Sequence, residues 1–126
     1  MVLPMPSVES LRRPTDAEID AVEQRLGRKF HPDYRAFLRN GGDVADARFE
    51  PAVVLPGAGH LDLFAMTQRA WAAGVAKNLL PFIEDNGDYH CLTETGEVVY
   101  WSHDGAAAER WPDLKTWRDA VCVRRP

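Results

Sequence analysis

The chain has 126 residues, 45% hydrophobic and 27% charged, which fits one domain with a buried core and argues against global disorder. Its net charge is −4, so general affinity for nucleic acid is not expected. No apolar run approaches the roughly 18 residues of a membrane span, and the opening MVLPMPSVESLRRP lacks the basic start and apolar stretch of a signal peptide; the default location is the cytoplasm.

Residues 1–13 read as a loosely attached lead-in, and residues 14–126 as a single domain. The first element opens at PTDAEIDAVEQRLG, where Thr15 and Glu18 form a capping box. Ile19, Val22 and Leu26 then make an apolar stripe, and Gly27 suits a left-handed stop. In FHPDYRAFLRNGG, Pro32 fits the first helical position and Tyr34, Phe37 and Leu38 form the buried face. Asn40, Gly41 and Gly42 end that helix, giving a helical hairpin.

AVVLP and LDLF then read as short strands separated by GAGH, and MTQRAWAAGVAKN as a helix capped near Thr67. LLPFIE is an apolar strand, while DYHCLT and VVYWSH flank ETGE as a β-hairpin turning at Gly96. A two-residue Thr95-Gly96 loop would set Asp88 against His103, Tyr89 against Ser102 and His90 against Trp101; a three-residue loop would break that register. PDLKTWRDAV closes the chain as a helix capped by Asp113, with Leu114, Trp117 and Val121 inward. The order predicts an α+β fold: an antiparallel-rich mixed sheet of about five to six short strands, with an N-terminal helical hairpin and a C-terminal helix packed on it.

Charge is unevenly placed. Residues 78–109 contain no Lys or Arg but seven acids (Glu84, Asp85, Asp88, Glu94, Glu97, Asp104 and Glu109), whereas the rest of the chain has twelve acids and fifteen bases. Such an acidic surface either keeps the protein soluble or attracts a basic partner.

Within it, FIEDNGDYHCL gathers acids, a histidine and a thiol. It fails as a calcium loop, because the glycine precedes the second Asp and the twelfth position counted from Asp85 is Gly96. Zinc would need His90, Cys91 and His103 to converge, but neighbours on a strand point to opposite faces. Cys91 with His103 or His60 is a poor nucleophile pair, since a strand thiol among acids resists ionisation. Cys91 and Cys122 form no CxxC pair and are expected as reduced thiols. Glu84 and Asp85 are adjacent, with no cleft in evidence to serve paired carboxylate chemistry. No enzyme, metal or cofactor is expected.

What remains is a turn. Asn86-Gly87 supplies the left-handed backbone of a tight turn, Asp88 satisfies loop amides or pairs with His103, and Glu84 and Asp85 face either water or a partner. Trp111, beside Pro112, either covers the helix–sheet seam or is an exposed partner anchor.

Four ordered segments resemble the SUKH superfamily, the SMI/KNR-type proteins: IDAVEQRLGRKFHPDYRAFLRNGG, LLPFIEDNGDYHCL, TGEVVYWSHDG and LKTWRDAV, and the resemblance covers roughly Pro14 to Val121. The matching positions include Leu26, Gly27, Pro32, Tyr34, Phe37, Leu38, Gly41, Gly42, Gly87, Tyr89, Gly96 and Trp101. Phe30-His31-Pro32 stands where Leu-Pro is usual, and Asn86 replaces a turn glycine. The resemblance implies an α+β fold without a cofactor. It implies either a bacterial immunity protein, which binds and neutralises a cognate secreted toxin, often a nuclease or deaminase, or a non-catalytic regulator of the fungal cell-wall type. The expected partner is a toxin with a basic surface, met by Asp43, Asp46, Glu84, Asp85, Asp88 and Trp111, with the protein itself a monomer or weak homodimer.

Overall fold

The computed structural model describes residues 13–40, 50–54, 59–105 and 109–123. Helix α1 (Asp16–Leu26) starts on the expected capping box: Thr15 Oγ1 accepts from the Glu18 amide and the Glu18 carboxylate accepts from the Thr15 amide. It ends at Gly27, in the left-handed conformation. Helix α2 (Pro32–Arg39) follows a short link, with the His31 Nδ1 accepting from the Asp33 amide at its start. Ile19, Val22, Leu26, Tyr34 and Leu38 are buried, and Phe37 packs partly buried against the same core.

The link is pinned by a residue the sequence pattern did not flag. Glu23 sits on the buried side of α1, where its Oε2 accepts the Phe30 amide at 2.7 Å and its Oε1 meets the Arg35 guanidinium at 3.1 Å. Arg35 also reaches Asp16 and Asp20. One buried carboxylate thereby joins α1, the link and α2, and its charge is paired as burial requires.

Of the two strands expected around residues 52–64, LDLF does not form, and of AVVLP only residues 52–54 are among those described. Val53 makes an isolated parallel bridge to Asp62, and LDLF instead opens helix α3 (Leu63–Ala73) after a single 3-10 turn, Gly59–Leu61. Asp62 is the reason: its carboxylate accepts from the Ala65 amide, an N-cap four residues ahead of the expected start. Thr67 lies inside the helix, buried, its hydroxyl donating to the Leu63 carbonyl at 2.8 Å. Gly74 ends α3.

The sheet has four strands in the order β1-β2-β3-β4, every neighbouring pair antiparallel: β1 (Leu80–Asp85), β2 (Asp88–Leu92), β3 (Val98–Trp101) and β4 (Arg110–Trp111). The α+β class stands; among the described residues the sheet has fewer strands than expected, and every pairing inside it is antiparallel. In β1 the register slips between Pro81 and Ile83. This bulge explains a strand that reads as a continuous apolar run rather than an alternation; Pro81, Phe82 and Ile83 are all buried. The Phe82 carbonyl accepts from the Ala52 amide at 2.8 Å, so the segment before α3 borders the outer edge of β1.

The β2–β3 register is also shifted by one from the expected pairing: Tyr89 faces Trp101, His90 faces Tyr100 and Cys91 faces Val99. Thr93 and Glu97 close a three-residue loop, through the Thr93 amide on the Glu97 carbonyl and the Gly96 amide on the Thr93 carbonyl. Gly96 has φ +91 and lies against His31; a Cβ there would come within 2.9 Å of the imidazole. A longer loop with a left-handed glycine thus replaces the two-residue turn.

Both sheet faces are covered. Tyr89 and Trp101 share one face, with Trp101 beside Gly74 at the end of α3. His90 and Tyr100 share the other, under helix α4 (Leu114–Trp117), which runs on into a π-helical turn, Arg118–Val123. Asp113 caps α4 through the Thr116 amide. The core centres on Phe82, whose ring meets Trp117 edge-on at 4.9 Å and Tyr34 and Phe37 at 6.0 Å each.

Candidate functional site: the acidic end of the sheet

Asn86 and Gly87 have φ of 53° and 90°, and Asp85 pairs directly with Asp88 across them. Two consecutive left-handed residues between paired strand ends form the hairpin turn that Asn-Gly favours. The turn sets two carboxylates opposite each other, an unfavourable pair unless one is neutralised by donors.

Asp88 is that one. Its Oδ2 accepts the Tyr100 hydroxyl at 2.6 Å, and its Oδ1 accepts both the His103 amide at 3.0 Å and His103 Nδ1 at 2.6 Å. A carboxylate acceptor assigns the proton of that pair to Nδ1. The Tyr100 hydrogen bond first, and those from His103 next, hold the Asp88 carboxyl far below the usual carboxylate range. In return the Tyr100 phenol is pushed up to about 12, chiefly by its bond to Asp88. Asp88 therefore anchors the chain leaving β3, and its lone pairs are largely spent inside the protein.

Glu84 is exposed and pairs with Arg69 of α3 at 3.3 Å. Asp85 is exposed, and its side chain makes no hydrogen bond or ion pair among the described residues. Asp104, also exposed, accepts from the Ser102 hydroxyl at 2.7 Å, and Glu109 lies opposite Tyr100, its carbonyl accepting the Tyr100 amide. Glu84, Asp85, Asp88, Asp104 and Glu109 thus come to one end of the sheet. Glu94 lies in the β2–β3 loop and Glu97 next to it, at the opposite end, so the base-free stretch of sequence is divided between two ends of the molecule.

Trp111 is elsewhere. From β4 it faces Val98 of β3, which is three residues (about 10 Å of strand) from Trp101, and it packs partly buried over His90 with ring centres 6.1 Å apart. It covers the helix–sheet seam. Asp43, Asp46, Gly41 and Gly42 lie outside the described residues.

His90 and Cys91 point to opposite faces, as strand alternation requires. The His90 Nδ1 accepts from the Trp117 indole N–H at 3.0 Å, and burial pulls its pKa down to about 4. Cys91 is fully buried on the other face, and burial rather than the neighbouring acids pushes its thiol up to about 12. His103 is committed to Asp88. These three side chains do not converge. The His90–Trp117 bond was invisible in the sequence because its partners are 27 residues apart.

Among the described residues no helix is long and apolar enough to cross a membrane. No curated protein matches the chain. It is similar to a crystal structure of a protein from Pseudomonas syringae pv. tomato, with 28% identity and a TM-score of 0.82 over 98% of this chain and 89% of that one. The family described as SMI1-KNR4 cell-wall (SUKH_5) matches residues 3–122, including most of the lead-in, and the chain belongs to that family.

Proposed function

We propose that the protein is an immunity-type binding protein, which neutralises a cognate secreted bacterial toxin by covering the toxin's basic working surface with the acidic end of its sheet. The observation that carries this reading is the gathering of Glu84, Asp85, Asp88, Asp104 and Glu109 at one end, on a turn held in place by Asp88, Tyr100 and His103. Carboxylates on a preorganised turn lose little freedom on binding and present charge as the phosphates of a nucleic acid would to a nuclease cleft. Such complementarity mainly raises the association rate and sharpens specificity. The chemistry is occlusion; the reading gives the protein no catalytic step and no cofactor, and a cytoplasmic place of action.

A second reading rests on the family's description as a cell-wall family: a regulatory module that binds a partner other than a toxin. Co-expression with the product of the adjacent gene, followed by pull-down and a growth-rescue assay, separates the two. Rescue together with a stable complex supports the immunity reading; a complex without toxicity to rescue supports the regulatory one. Absence of both rescue and complex would sink the first.

A further inference from the structure

A small cavity of about 20 Å3 lies where the α1–α2 link meets the approach to β1 and the end of β2. Two of its lining side chains carry buried polar atoms that have no hydrogen-bond partner among the described residues: the hydroxyl of Tyr34 and the Nε of Arg28. Neither is free to turn away. The Tyr34 ring is 1% exposed and wedged among Phe30, Phe37 and Phe82. The Arg28 guanidinium lies over the Trp71 ring at 4.8 Å. Buried polar groups in folded proteins are nearly always satisfied, and Arg Nε is a donor only, so the species that satisfies both must accept hydrogen bonds.

Size admits one. A cavity needs roughly 10–15 Å3 to hold a water molecule, and this one, partly open to solvent, is little larger. Asn78 and Glu94 in the same lining carry acceptors for a water's own hydrogens. We propose that the cavity is a hydration site, in which one ordered water accepts from Tyr34 and Arg28 and ties the helical hairpin to the sheet. The site is separate from the acidic end and does not depend on the immunity reading.

The test is a high-resolution crystal structure of the full chain grown in bromide salt, paired with the denaturation of Tyr34→Phe. A solvent peak within hydrogen-bond distance of the Tyr34 hydroxyl and Arg28 Nε, without bromide anomalous signal, is expected. So is a roughly fivefold drop in the folding equilibrium constant of Y34F, the effect of losing one satisfied hydrogen bond. A bromide peak would show that a halide takes the place. Absence of any peak, or a Y34F protein as stable as the wild type or more so, would show a dry, unsatisfied hydroxyl. Each of those three results overturns the proposal, and the wild-type crystal decides it even if the variant does not fold.

Discussion

At the scale of single residues, His90 and Asp88 each make the fold less stable in acid. His90 is neutral in the fold because burial draws its pKa from 6.5 to about 4, whereas in the unfolded chain it protonates at its ordinary value. Between those two values the unfolded state binds the extra proton, so stability falls as pH drops from about 6.5 to about 4, by an amount on the order of 3 kcal/mol. Asp88 acts in the same direction lower down: its depressed carboxyl contributes stability above the ordinary value of 3.8, lost as pH falls below it. Urea denaturation at a series of pH values should show the first loss in the wild type. His90→Gln, which keeps an acceptor for Trp117 but cannot titrate, should flatten the curve in that window; an unchanged slope would assign the loss to other groups. The Asp88 clamp has its own readout. In Asp88→Asn the Tyr100 phenol should titrate well below about 12, where the wild type holds it, and spectrophotometric titration of the tyrosines would detect the change.

At the scale of elements, the helical hairpin is held to the rest by contacts the sequence does not advertise. Glu23→Ala leaves the buried Phe30 amide without its acceptor and removes one of the carboxylates around Arg35. A loss of about 3 kcal/mol is expected from breaking a buried, hydrogen-bonded pair, measurable by chemical denaturation. Gly96→Ala meets two penalties, a positive φ and the imidazole of His31, and should cost about 1–3 kcal/mol. Combining it with His31→Ala should restore the part due to the clash and leave the part due to backbone, so the two mutations should be non-additive. What was legible at this scale was local. The Thr15–Glu18 box, the Gly27 stop, Pro32 opening α2 and the Asn86-Gly87 turn each follow from residues within four positions of one another. LDLF was misread because Leu61, Leu63 and Asp62 imitate strand alternation, while the Asp62 cap that makes a helix of it acts on an amide three residues on. The register differs by one because a Thr-Gly pair fits a two- or a three-residue loop, and the packing of Gly96 against His31 is not local in sequence.

At the scale of the whole molecule, three-dimensional placement reorganises the acidic stretch. The sequence shows an unbroken run without bases; the fold divides it, sending Glu94 and Glu97 to one end and five other acids to the end built on Asp85 and Asp88. Charge alone did not reveal that Asp88 is a clamp or that Trp111 is a seam residue, since both roles depend on strands paired across more than ten positions. The family and the α+β class were legible because four motifs recur in a fixed order, and Phe82, Tyr34 and Trp117, which form the core, lie within three of them. Asp85, at the end of β1 where the turn begins and exposed, is the residue at which substitution should alter binding with least effect on folding. The most direct measurement is the association rate with the partner encoded next to this protein, for wild type and Asp85→Lys, across a range of salt concentration. A fast wild-type rate that falls steeply with salt, and a variant slowed at least tenfold at low salt with equal thermal stability, is the predicted result. Equal rates with equal salt dependence would contradict the acidic end as the binding surface.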